Sequence, residues 1–201
     1  RGIGISPDII IARSDLPVLV RTDTLKCLRA AEVFGGEPAA LKQTQVLKPG
    51  EREPGPLAQQ AFTVAGVPHV LWALDADPQA DLGRLGGDLA RICAWQGQLF
   101  GEPLPMDRYH FLLRLAGDGY GGLEHRTSCA LLAQRKTLPQ IEESAVSADY
   151  AELLGLCSHE YFHTWNVKRI KPAAFVPYDL DRENHTSQLW AFEGFTSYYD
   201  D

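Results

Sequence analysis

His159-Glu160-Tyr161-Phe162-His163 carries the residues of this chain best suited to chemistry. A helix makes a turn in about 3.6 residues, so positions four apart fall on one face. Two imidazoles placed this way can both reach one Zn²⁺, which binds histidine nitrogen at about 2.0–2.1 Å. Glu160 lies one step round the helix, where it can act on a zinc-bound water without being a ligand. A hydrolytic zinc takes three protein ligands and keeps one position open, so a third ligand must come from another segment. Glu193, in Trp190-Ala191-Phe192-Glu193-Gly194, is the best candidate. Its neighbours include Leu189, Phe195, Tyr198 and Tyr199, so it is expected to be at least partly buried. Burying a carboxylate without a partner is costly, and a metal cation removes that cost. The competing explanation is a surface helix with two solvated histidines, and the mixed apolar pattern around the motif argues against it.

The elements that must hold these residues can be traced outward. Leu153, Leu156 and Cys157 recur at helical spacing before His159, and Pro172 supplies a stop after it. Residues 188–199 carry a second helical pattern around Glu193. Residues 81–100 read as an amphipathic helix through Leu82, Leu85, Leu89 and Ile92, closed by Gly101, although Gly86-Gly87 weakens its interior. Residues 109–115 read as a strand, Gly117-Asp118-Gly119 as a turn, and 123–132 as the next strand, antiparallel to the first. Residues 62–64 and 70–74 read as strands around Gly66-Val67-Pro68. Earlier, 2–5, 9–11 and 18–20 read as short strands, with loops at Pro49-Gly50 and Pro54-Gly55-Pro56.

Three blocks together resemble a known family. They are His159-Glu160-x-x-His163-Thr164-Trp165-Asn166-Val167-Lys168-Arg169, then Leu189-Trp190-x-x-Glu193-Gly194-Phe195-Thr196-Ser197-Tyr198-Tyr199, and, upstream, Tyr120-Gly121-Gly122-Leu123-Glu124-His125-Arg126. The chain is similar over about residues 62–201 to the M61 glycyl aminopeptidases, which are gluzincin zinc metallopeptidases. The resemblance implies that Glu193 is the third zinc ligand, beside His159 and His163, with one Zn²⁺ per chain. It implies an α+β, thermolysin-like catalytic domain with a small mixed sheet and active-site helices. We expect residues 76–201 to form that domain, truncated at its C-terminus, and residues 1–75 to be the C-terminal part of an N-terminal β domain. The chain stops inside or just after the Glu193 helix, so we expect it to be a piece of a longer protein. The resemblance adds a C-terminal helical region and a PDZ domain to the full-length molecule.

The expected activity is removal of an N-terminal residue from a peptide substrate, with Glu160 taking the water's proton and passing it to the leaving amine. Preference for glycine or alanine at that position comes wholly from the resemblance. A carboxylate on a strand bordering the zinc can hold a free α-ammonium by a charge-assisted hydrogen bond, and Glu124 is the candidate. Gly121 and Gly122 let backbone approach substrate closely. On the motif alone, a solvated strand carboxylate after a glycine turn is as good an account, and the resemblance favours the amine role. Tyr198 or Tyr199 is expected to stabilise the transition state, and Asn166, Thr196 or Ser197 to orient ligands. Core packing and capping compete with each of these roles. His69, His110 and His185 have no ligand-like spacing, and His125 reads either as a structural histidine or as one that hydrogen-bonds near the site. A zinc endopeptidase with the same centre is the first alternative, and a non-catalytic zinc-stabilised peptide-binding fragment is the second. An intact Glu160 argues against the latter.

Bulk composition excludes several classes. A formal net charge of −7, with no Lys/Arg-rich run, argues against nucleic acid or an anionic membrane as partner. No stretch approaches the roughly 18 apolar residues of a membrane span. Cys27, Cys93, Cys129 and Cys157 are scattered and lack a Cys-x-x-Cys pair, so they read as buried thiols in a reducing compartment such as the cytoplasm. Relatives with export signals leave a periplasmic or secreted location open.

Overall fold

A computed structural model describes residues 57–200, apart from 180 and 182, and the backbone of residues 9–10 and 19–20. The chain divides into two units, residues 1–57 and 58–201. In the first, strands β1 (Ile9–Ile10) and β2 (Leu19–Val20) pair antiparallel. They fall within two of the expected strands. The expected strand at 2–5 and the loops at 49–56 lie outside the described residues.

The second unit is α+β. Strands β3 (Leu57–Val64) and β4 (Val67–Leu74) are joined by a tight turn. Ala65 and Gly66 both adopt positive φ, 47° and 79°, the backbone that a two-residue hairpin turn requires. Helix α1 (Leu82–Phe100) follows, capped by the Asp81 side chain, which accepts from the Arg84 amide. Its glycines have a packing reason: a Cβ at Gly86 would lie 2.6 Å from Gln60 Cγ, and one at Gly97 would lie 2.8 Å from Leu104 Cδ2. Close approach to neighbouring side chains offsets their poor helix propensity.

Strands β5 (Tyr109–Ala116), β6 (Gly121–Glu124) and β7 (Ser128–Gln134) complete a five-stranded mixed sheet in the order β3-β4-β5-β7-β6. β5 pairs in parallel with both β4 and β7, whereas β6 pairs antiparallel with β7. The single strand expected at 123–132, antiparallel to β5, is thus two strands, broken at residues 125–127. Burial explains the arrangement. β7 is apolar along most of its length and takes the protected place beside β5. The short, glycine-bearing β6 is left at the edge. β4 pairs with β5 from His69–Tyr109 to Leu74–Arg114 within this sheet.

Helix α2 (Ala148–Phe162) starts at Ser147, whose hydroxyl accepts from the Tyr150 amide. Tyr150, Leu153, Leu156, Cys157 and Tyr161 pack into a core with Leu71, Leu85, Leu89, Phe111, Leu113 and Leu131. Cys157 is fully buried in that core. Gln96 of α1 donates to the carbonyl and hydroxyl oxygens of Ser158, pinning the two helices together. Helix α3 (Leu189–Tyr199) differs from expectation in its surroundings. Thr196 is its one buried residue, Trp190 is 73% exposed and Tyr198 75%. No described helix is long and apolar enough to cross a membrane.

Candidate active site

His159 lies in the last turn of α2 and His163 at its C-cap, where the backbone remains helical and the His163 amide still donates to His159 O. The two rings therefore share a face. Their Nε2 atoms are 3.0 Å apart. Glu193 Oε2, arriving from α3, lies 3.4 Å from His159 Nε2 and 3.6 Å from His163 Nε2. Two ligand atoms, each about 2.0–2.1 Å from a tetrahedral zinc, sit about 3.3 Å apart. The three observed edges bracket that value, so this donor set fits such an ion. The Glu193 side chain is 46% exposed, more open than its aromatic neighbours suggest.

Each imidazole is fixed through its other nitrogen. His163 Nδ1 donates to the Asn166 carbonyl at 2.7 Å, and His159 Nδ1 donates to Asp200 Oδ2 at 2.7 Å. Both tautomers turn Nε2 towards Glu193. Asn166 was expected to orient ligands. Its carbonyl holds His163, while its amide donates to Phe192 O at 3.1 Å and ties α2 to α3. Thr196 Oγ1 donates to the Phe192 carbonyl and lies 3.5 Å from His163 Nδ1. Burial opposes charge on His159, but its bonds to Glu193 and Asp200 outweigh this and raise it to about 9. Hydrogen bonds from His159 and His163 hold Glu193 down at about 2.

Glu160 is buried under β6, and its Oε2 has no hydrogen-bond partner among the described residues. Burial, then the like charge of Glu124, pushes it up to about 7. Gly122 makes the room: a Cβ there would lie 2.2 Å from Glu160 Oε1. A Cβ at Gly121 would meet nothing. Glu124, two residues along β6, offers an oxygen within 4.8 Å of ligand atoms of both Glu160 and His163. It also pairs with Lys168 Nζ at 2.8 Å. Burial opposes ionisation of Glu124, but Lys168 overrides this and lowers its pKa.

Tyr199 stacks on Phe162 and leans on Trp95, and Tyr198 packs edge-on against Tyr199. The remaining histidines are engaged elsewhere, His69 with Tyr161 and His110 with Trp72. His125 Nδ1 contacts Leu123 O. Sequence reasoning missed Asp200 and Lys168. Asp200 stands seven residues after Glu193, two helical turns and hence the same face, which is a usable signal.

Two imidazoles and a converging carboxylate thus form a group that could hold a metal ion, beside a second, buried carboxylate. Comparison with known proteins narrows the class. The model of the M61 glycyl aminopeptidase family matches residues 152–201, which contain all three candidate ligands and Glu160. The chain is also similar to the crystal structure of an aminopeptidase N family protein from Idiomarina loihiensis. It is 46% identical with a TM-score of 0.69, and the match covers 73% of this chain and 24% of that one. The chain belongs to the M61 glycyl aminopeptidase family. It spans about a quarter of the length of the Idiomarina relative.

Proposed function

We propose that the full-length protein is a zinc-dependent aminopeptidase of the thermolysin-like gluzincin type, cleaving the first peptide bond of substrates that begin with small residues such as glycine or alanine. One observation carries this reading: His159, His163 and Glu193 converge within 3.0–3.6 Å of one another beside a buried carboxylate that is not one of them. The catalytic unit takes in β3 and β4 together with residues 76–201. His159, His163 and Glu193 would hold the ion, which when bound supplies Lewis acidity to a carbonyl and acidifies water. Glu160 accepts the proton of the attacking water and returns it to the leaving nitrogen. A carboxylate within reach of that water can do both, taking the proton in one step and returning it in the next. Burial under Gly122 keeps bulk water from competing for that carboxylate. Glu124 is read as the acceptor of the substrate's α-ammonium. The name of the Idiomarina relative, an aminopeptidase N family protein, supports the exopeptidase assignment.

The endopeptidase alternative draws on one observation, the ion pair through which Lys168 already neutralises Glu124. Mass spectrometry on a Gly-initiated peptide and its N-acetylated twin separates the two. The aminopeptidase reading expects loss of a single residue from the free peptide only. Internal cleavage, or cleavage of both twins, overturns it. Glu160→Gln should retain zinc in metal analysis but lose turnover by at least about a hundredfold. Near-normal turnover in that variant removes Glu160 from the mechanism.

A further inference from the structure

The pairing of Glu124 with Lys168 bears on how the amine subsite works. Lys168 lies in the turn that follows α2, and its amide donates to His163 O at 3.0 Å. Arg169 pins that turn, its guanidinium donating to the carbonyls of Thr164, Pro105 and Arg126. The Lys168 side chain is therefore delivered from a fixed backbone onto β6. It is 18% exposed and Glu124 22%. An ion pair so shielded is weakly screened by solvent and salt. It is also not remote from the chemistry, because the Glu124 carboxylate it holds approaches Glu160 and His163 within 4.8 Å.

We infer that Lys168 is a specificity-determining residue, an internal cation with which the substrate's α-ammonium must share or contest Glu124. The inference rests on the amine role proposed for Glu124. Without Lys168, an arriving ammonium would meet a whole unit of negative charge. With it, the ammonium meets a carboxylate already neutralised and a like charge close by. The lysine thus weakens ground-state capture of free amines.

The test uses full-length, zinc-loaded protein, glycine p-nitroanilide and its N-acetylated twin, with Lys168→Met, Lys168→Arg and Glu124→Ala. The expected result is a KM for the free amine lowered on the order of tenfold by Lys168→Met, with kcat changing much less. Lys168→Arg, which keeps the charge, should leave KM near the parent value. A KM that is unchanged or raised in Lys168→Met, with zinc content and melting temperature intact, overturns the inference and makes Lys168 a tether that merely orients Glu124. Should Lys168→Met fail to fold, Lys168→Gln takes its place in the same comparison with the same two outcomes. Failure of the amine role itself looks different. The parent would then cleave both twins, or Glu124→Ala would leave KM where it was, whatever the Lys168 variants do.

Discussion

Each histidine of the candidate metal centre is governed by the atom bonded to its second nitrogen. Asp200 accepts from His159 Nδ1, and this partner has consequences that a backbone carbonyl lacks. A carboxylate both fixes the tautomer and raises the basicity of the ring. Asp200→Ala should therefore lower zinc affinity about 10–100-fold, measured by competition with a chelator, while Asp200→Asn, which keeps an acceptor, loses less. An unaltered affinity in Asp200→Ala would remove Asp200 from the site. The same contact sets a pH dependence. In the metal-free protein His159 is raised to about 9, so it holds a proton at neutral pH. That proton must leave before Nε2 can bind a metal. Apparent zinc affinity is accordingly expected to rise with pH, roughly tenfold per unit, and to level off near 9. In Asp200→Ala the plateau should begin at lower pH. Affinity that is flat from pH 6 to 9 would contradict this.

At the scale of elements, the site depends on β6 lying close over α2. Glu160 occupies the space that a side chain at position 122 would fill. Gly122→Ala should therefore displace the Glu160 carboxylate while leaving His159, His163 and Glu193 in place. The expected outcome is retained zinc and a kcat reduced by at least about tenfold, since general-base catalysis tolerates little misplacement. Gly121→Ala, whose Cβ meets nothing, is the control. Equal kcat in both variants would show that Gly122 has no special part. These contacts also mark what a linear reading can reach. The helices were legible because their apolar residues recur at a local period, as at Leu82, Leu85 and Leu89. The spacing of the histidine pair is local too, whereas Glu193, on another helix, was singled out by its aromatic neighbours and by the family resemblance. The order of the sheet was not, because whether β7 pairs with β5 in parallel depends on how residues 117–127 route the chain. The tight fit of Glu160 against Gly122 is a contact between residues 38 apart in sequence, and nothing within either segment announces it. Lys168 was hidden for the same reason, since a lysine in a turn after a helix is ordinarily solvated.

At the scale of the whole molecule, the candidate metal centre joins two helices of unequal anchorage. α2 contributes many of the core's side chains, whereas α3 turns most of its apolar residues outward and buries Thr196 alone. In the metal-free protein α3 is attached through Asn166 to Phe192, Tyr199 on Phe162, and Glu193 and Asp200 against the histidines. Helices held by so few buried contacts open at low free energy. A metal bound by ligands from both helices forbids that opening, because the open state loses Glu193. At a free zinc concentration about a thousand times Kd, the stabilisation is about 4 kcal/mol. For a chain of this size that corresponds to a rise in melting temperature on the order of 10 °C. The distribution of the gain is the sharper test. Hydrogen exchange should show zinc-dependent protection concentrated in residues 189–199, with little change in the core-facing amides of α2, which are already slow. Glu193→Ala should abolish the protection of α3 while still allowing weak binding by the two histidines. If zinc instead slows exchange evenly across both helices, α3 is anchored by more than these contacts, and the ion adds stability without bridging a weak joint.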